Sequence, residues 1–163
     1  MYALPSNHSK NPITSSLCAG GSDGLIHIID FQLRSTKQSI EVHSLPITDV
    51  TYSNDGFMLL TSSNDCRVKV LSVVNDYSII YSFSCHLSPV LALCVNQSNF
   101  LLACLSGDCL QMCNLATKNI VTTARLVNNA DYCDVSVSPG GDALALASSS
   151  SNSIEIYSLN KHG

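Results

Sequence analysis

The sequence lacks tryptophan, has few charges and contains no long apolar run. Only 12% of its 163 residues are charged, and its eight lysines and arginines are scattered. Without a basic run to follow a phosphate backbone, nucleic acid is not expected as a direct partner. No apolar stretch approaches the ~18 residues that a membrane-spanning helix needs. Residues 1–16 are polar and lack the apolar segment of a secretory signal, so we expect a cytoplasmic or nuclear protein that is not secreted and does not bind membranes.

The sequence also lacks the motifs of common catalytic and cofactor sites. No glycine-rich phosphate loop of the Walker or Rossmann type is present, and Gly20-Gly21 and Gly140-Gly141 are better interpreted as turns between strands. Serine, histidine and aspartate are plentiful, but nothing in their spacing assigns them to a set of catalytic roles. We therefore expect neither catalysis nor a cofactor, and an enzyme is the disfavoured alternative.

Eight cysteines raise the question of a metal site. Cys104, Cys109 and Cys113, with His86 nearby, have a spacing that is not typical of a zinc-binding motif. Cys85 and His86 are adjacent, so on a continuous strand their side chains would point to opposite faces. Most of the cysteines lie in apolar strand patterns, which favours small buried thiols in a reducing compartment and no metal.

What the sequence has in abundance is a repeat. Hydrophobic residues make up 45% of the chain, enough for the core of a single domain. Apolar runs that follow tight turns end at Asp30, Ser72, Asn114 and Ser158, at spacings of 42, 42 and 44 residues. A period of 40–45 residues built from short strands is typical of the blades of a β-propeller.

Each repeat divides into short strands. The apolar pattern is alternating or continuous and turn residues interrupt it every 8–12 positions, which predicts an all-β fold with almost no helix. We expect about 3.5 four-stranded antiparallel blades in one partial propeller, at approximately residues 1–42, 43–85, 86–128 and 129–163. In the first blade the outer strand is predicted over Ser39–Val42, and the last blade has room for only three strands.

These repeats resemble the WD40 family. His43 and His86 stand at the position of its blade histidine, and Asp65 and Asp108 at that of its turn aspartate. Leu71-Ser72, Cys113-Asn114 and Tyr157-Ser158 replace the Trp-Asp pair that names the family, and the sequence has no tryptophan. Only His43, a hydroxyl from residues 61–63, and Asp65 can therefore form part of the family's hydrogen-bonded network. The resemblance implies a non-catalytic scaffold that binds other proteins, such as the members of a multiprotein complex.

A narrower resemblance suggests one partner. Residues 19–24, 46–56, 71–73 and 76–78 are similar in order and spacing to the actin-interacting WD-repeat proteins. That resemblance implies the alternative function of an actin-binding cofactor of filament disassembly.

Candidate contact residues lie in the loops that a propeller gathers at one rim. Function concentrates in loops held on a rigid scaffold. The residues predicted to contact a partner are Leu45, Pro46, Asn64, Leu87, Ser88, Ser106, Asn129 and Tyr132. Of these, Leu45, Leu87 and Tyr132 are expected to be exposed anchors, although they could instead cap their own blades.

The number of repeats poses a problem of closure. Propellers typically have 4–8 blades, and a stack of three and a half leaves apolar faces at its ends. We therefore expect a fragment of a larger propeller, which further blades or a second chain would close.

Overall fold

The computed structural model describes residues 16–84, 87–96, 101–107, 109–126 and 131–159, together with the backbone of residues 2–3. Within these ranges all regular secondary structure is β-strand. No helix that could cross a membrane is found there.

The first two sheets have four strands each. Sheet 1 consists of β1 (Tyr2–Ala3), β2 (Ser16–Gly20), β3 (Leu25–Asp30) and β4 (Ser35–Glu41). Sheet 2 consists of β5 (Ile47–Tyr52), β6 (Met58–Ser63), β7 (Val68–Ser72) and β8 (Ser78–Phe83). In both, the strands pair antiparallel in chain order.

The third sheet repeats this arrangement and the fourth shortens it. Sheet 3 consists of β9 (Val90–Val95), β10 (Leu101–Ser106), β11 (Cys109–Asn114) and β12 (Asn119–Arg125). Sheet 4 has three described strands, β13 (Tyr132–Val137), β14 (Ala143–Ser148) and β15 (Ser153–Ser158).

Glycines allow two of the tight turns. Gly56 ends the Ser53–Gly56 turn with φ 74°, and its N–H donates to the Ser53 carbonyl oxygen at 2.9 Å. Gly24 has φ 81°, and its carbonyl oxygen accepts from the N–H groups of Val42 and His43. Side chains rarely adopt this left-handed backbone, so the turn of sheet 1 and its contact with the loop before β5 both depend on glycine.

The four sheets stack face to face through three apolar clusters. The first joins sheets 1 and 2 around Ile26, Leu59 and Leu71, and the second joins sheets 2 and 3 around Leu60 and Leu102. The third joins sheets 3 and 4 around residues such as Leu105, Leu144 and Leu146. Strand β9 packs against both β5 and β13, so the first strands lie along the inner side of the stack.

The predicted fold class is confirmed. The described residues form four antiparallel sheets of a partial propeller, and these sheets do not close into a ring. The last sheet is short, as the sequence indicates. The predicted limits of the outer strand of sheet 1 were wrong: β4 runs from Ser35 to Glu41 rather than from Ser39 to Val42. Sheets 1, 2 and 3 end at residues 41, 83 and 125, and the sheets that follow them begin at residues 47, 90 and 132. The repeat limits near 43, 86 and 129 remain predictions.

Candidate functional site

One edge of the stack gathers the loops that precede each first strand and the turns between each second and third strand. In sheet 2, the Asn64 N–H donates to the Pro46 carbonyl oxygen at 3.1 Å, which joins the two segments. In sheet 3 the corresponding segments also lie side by side, since a Cβ built on Gly107 would be 3.9 Å from Ser88 Oγ. We call this edge the rim, formed by residues 43–46, 64–67, 87–89 and 107.

A buried histidine organises the rim of sheet 2. His43 Nδ1 lies 2.9 Å from Asp65 Oδ2, and its Nε2 lies 2.9 Å from Thr61 Oγ1. An ionised carboxylate only accepts, so Nδ1 carries the proton and Nε2 of the neutral ring accepts from the threonine hydroxyl. His43 and Thr61 are both buried.

The network favours a neutral histidine beside an ionised aspartate. Burial lowers the pKa of His43, and the bond and charge of Asp65 only partly oppose this shift. Burial alone would raise the pKa of Asp65, but the bonds from His43 and from the N–H groups of Ser44 and Arg67 outweigh it and lower the pKa. Asp65 therefore keeps its charge and holds the ring in one tautomer.

The same network fixes the loop before β5. The Ser44 N–H donates to Asp65 Oδ2 at 3.3 Å, and Ser63 Oγ donates to the Leu45 carbonyl oxygen at 3.0 Å. Together with the Asn64–Pro46 bond, these contacts tie three successive loop residues to β6 and its turn. The Leu45 side chain therefore projects from a loop whose backbone is fixed by hydrogen bonds.

The neighbouring sheets carry different chemistry at the register of Thr61. Strand pairing places Ala19, Cys104 and Leu146 there, and none of these has a hydroxyl. The predicted network residues His86 and Asp108 lie outside the described residues. The rim of sheet 2 therefore has a hydroxyl–histidine–carboxylate chain that sheets 1 and 4 do not repeat at this register.

Two of the three predicted anchors are exposed at the rim. Leu87 is 93% exposed and Leu45 is 48% exposed. Pro46, Asn64 and Ser88 are partly exposed beside them.

The prediction that Tyr132 is exposed was wrong. Its side chain is only 6% exposed because the ring packs in the apolar cluster between sheets 3 and 4. Its hydroxyl donates to Glu155 Oε2 at 2.8 Å. Ser106 is also buried, and its hydroxyl donates to the Cys109 carbonyl oxygen within the turn. Neither residue is accessible to a partner, and Asn129 lies outside the described residues.

A carboxylate between sheets was missed by sequence reasoning. A register shift near the start of β5 turns Asp49 towards sheet 3, where it is buried. Its Oδ2 accepts the Leu93 N–H of β9 at 2.8 Å, and its Oδ1 accepts the Val50 N–H at 2.7 Å. Burial raises the pKa of Asp49, and the two N–H bonds oppose that shift. Nearby, the Thr48 hydroxyl donates to the Val90 carbonyl oxygen at 2.6 Å.

The cysteines occupy mainly apolar positions. Cys18, Cys104, Cys109 and Cys113 are buried, whereas Cys133 is exposed. No group of three or more metal-binding side chains comes together in the portion of the chain that the structure describes.

Comparison with known proteins identifies one of the repeats. Residues 34–72 match the family model described as "WD domain, G-beta repeat". This span covers the outer strand β4 of sheet 1 and the first three strands of sheet 2, so one sequence repeat contributes to two sheets.

Three curated relatives illustrate the matches. Nuclear distribution protein nudF 1 of Talaromyces marneffei is 29% identical over 66% of this chain and 25% of its own length. COMPASS component SWD3 of Saccharomyces cerevisiae is 30% identical over 51% of the chain and 26% of its length. WD repeat-containing protein SL1-17 of Schistosoma mansoni is 35% identical over 42% and 22%. The chain thus spans about a quarter of the length of these relatives.

Proposed function

Because this chain belongs to the WD40-repeat family, we propose that it is a non-catalytic platform that binds other proteins through its rim. The observation that carries this proposal is the exposure of Leu87 and Leu45 on neighbouring rim loops. Burying an exposed aliphatic side chain against a partner is favourable, at about 1.5–3 kcal/mol for a leucine.

Rigidity makes the Leu45 loop suited to this role. Hydrogen bonds to Asp65, Ser63 and Asn64 hold its backbone. A loop that is already ordered loses less conformational entropy when it binds. Asn64 and Ser88 are partly exposed at the same edge and can supply the polar border of a contact surface whose centre is apolar.

The names of the relatives support a role within an assembly. One is a component of COMPASS and another is a nuclear distribution protein. By analogy, we propose that this chain acts in a multiprotein complex in the cytoplasm or nucleus.

Matched charge substitutions test the rim. Leu45→Asp and Leu87→Asp should remove proteins that co-purify with the tagged wild-type chain, and circular dichroism should be unchanged. Val74→Asp is the control, since Val74 is an apolar residue in the β7–β8 turn at the opposite edge, and its 58% exposure lies between those of Leu45 and Leu87. If the same proteins are retained by both rim variants, or are lost equally from the control, the rim is not the contact surface.

Actin remains a candidate partner on the sequence resemblance given above. Co-sedimentation with actin filaments, with and without cofilin, tests it directly. Binding that Leu87→Asp abolishes would assign actin to the rim, and no sedimentation under either condition would eliminate this partner.

A further inference from the structure

Every sheet has a tail face, defined as the side that points to the next sheet along the chain. Three apolar positions recur on it, one on the second strand and two on the third. In sheets 1, 2 and 3 all of these positions are buried against the following sheet: Cys18, Ile26, Ile28; Leu60, Val68, Val70; and Ala103, Leu110, Met112. Strand register makes the three sets equivalent.

In sheet 4 the same register places Ala145, Ile154 and Ile156 on the tail face. Here Ile154 is 71% exposed and Ile156 is 76% exposed. In sheets 1 to 3 the following sheet buries the residues at these positions. In sheet 4 no described residue covers the two isoleucines.

Sheet 1 is open on the opposite side, its head face. The first residue after each third strand packs against the preceding sheet: Val73 and Leu115 are buried, and Leu159 is partly buried. The equivalent residue of sheet 1 is Phe31, and it is 72% exposed. Leu17 and Ile29 lie on the same face, paired in the register of the buried pair Leu59 and Leu71.

We propose that the tail face of sheet 4 binds the head face of sheet 1 of a second copy of this chain. Each of the three internal interfaces joins a tail face to a head face through these same positions. A contact between two copies would therefore continue an arrangement that the chain already makes three times. It involves neither Leu45 nor Leu87, so its failure leaves the proposed function of the rim untouched.

A polar group on the tail face matches this arrangement. Asp134 of β13 has the register of Asp49, and its Oδ1 accepts the Val135 N–H at 2.8 Å just as Asp49 accepts that of Val50. In sheet 2, the second carboxylate oxygen accepts the Leu93 N–H of the next first strand.

The second copy offers an N–H group in the corresponding place. Tyr2 of β1 is paired with Ala19 in the register in which Leu93 is paired with Cys104. When the head face of one copy meets the tail face of another, the Tyr2 N–H takes the place of the Leu93 N–H and faces Asp134. The carboxylate would thereby set the register of the two copies.

Such a contact is heterologous, because it uses different surfaces of the two copies. It forms a closed ring when two copies engage both of their ends, and otherwise an open chain of copies. Two copies of four sheets give eight, which lies within the usual range for propellers.

The test is the mass of the purified full chain in solution over a range of concentrations, by size-exclusion chromatography with light scattering. We expect twice the 17.4 kDa chain mass, or longer assemblies, at high concentration. Ile156→Asp and Phe31→Asp should each raise the apparent dissociation constant roughly tenfold or more. Val121→Asp is the control, because Val121 is an exposed residue of β12 in sheet 3 and lies on neither the tail face of sheet 4 nor the head face of sheet 1. It should leave the apparent dissociation constant unchanged.

Mixing the two face variants separates a head-to-tail contact from a symmetric one. The Phe31→Asp chain keeps its tail face and the Ile156→Asp chain keeps its head face, so an equimolar mixture should recover a two-chain species. A wild-type chain that stays monomeric throughout would overturn the proposal. So would a Phe31→Asp chain that still dimerises alone, because that result would mean that two tail faces meet.

Discussion

Replacing Thr61 with valine tests whether the buried histidine network stabilises sheet 2. Valine keeps the branched shape and removes the hydroxyl that donates to His43 Nε2 at 2.9 Å. Thr61 is fully buried, so water has no access to replace the lost donor. Leaving a buried acceptor without its donor costs about 1–3 kcal/mol. We therefore expect the free energy of unfolding to fall by about 1–3 kcal/mol.

Urea denaturation at pH 7 and one fixed protein concentration measures this difference, since any self-association would make stability depend on concentration. Thr51→Val is the matched control, because Thr51 is half-buried on the neighbouring strand and its hydroxyl lies 3.5 Å from the Tyr52 carbonyl oxygen. The control should change stability by no more than about 0.5 kcal/mol. Equal effects of the two substitutions would refute the assigned network.

The network also predicts a direction for the pH dependence. Burial lowers the pKa of His43 below its ordinary value of 6.5, so the unfolded chain takes up the proton first as the pH falls. The stability that the neutral ring contributes is present above about pH 6.5 and is lost on acidification below it, by at most about 1.4 kcal/mol per pH unit. His43→Gln should show a smaller loss between pH 7.5 and 5.5. An identical slope in the variant would contradict the neutral assignment.

Three further outcomes test the fold. Leu110→Ala should cost about 2–5 kcal/mol and Ile154→Ala in dilute solution no more than about 1 kcal/mol, measured by urea denaturation, because only the first is buried. Equal costs would mean that the end of the stack is covered. A maleimide should label exposed Cys133 in the folded chain and buried Cys18 only after unfolding, as mass spectrometry can follow, because burial raises the pKa of Cys18 to about 12. Gly24→Ala should lower the thermal midpoint, since its φ is 81° and its Cβ would lie 2.1 Å from a carbonyl oxygen; an unchanged midpoint would mean that this turn tolerates a side chain.

Local features of the fold were predictable from the sequence. Alternating or continuous apolar residues at positions 47–52 and 90–95 end at turn residues on both sides, so the limits of β5 and β9 follow from the sequence pattern. Strand β4 was predicted four residues too short at its start. Its residues 35–37 are polar and exposed, so the hydrophobic pattern gives no signal there.

Contacts between sheets were less predictable, because they depend on how the sheets stack. The neighbours of His43 could be proposed from the resemblance to WD40 repeats, because they lie within one repeat. The bond from Asp49 to the Leu93 N–H joins residues 44 positions apart in different sheets, and only the register shift in β5 turns the carboxylate that way. Tyr132 illustrates the same limit, since its position before a strand predicted exposure but sheet 3 covers its ring.

The residue pattern of the repeat and the environment of each repeat carry different information. Leu110 and Ile154 are both apolar and hold the same register on the tail faces of sheets 3 and 4. One is buried and the other exposed solely because sheet 3 has a successor in the described chain and sheet 4 does not. A solvent-facing third strand would gain nothing from two isoleucines, whereas a covered one gains burial energy from both. We therefore assign these groups to the two sides of one interface between copies. One side contains Ile154, Ile156 and Asp134 of sheet 4, and the other contains Phe31 of sheet 1.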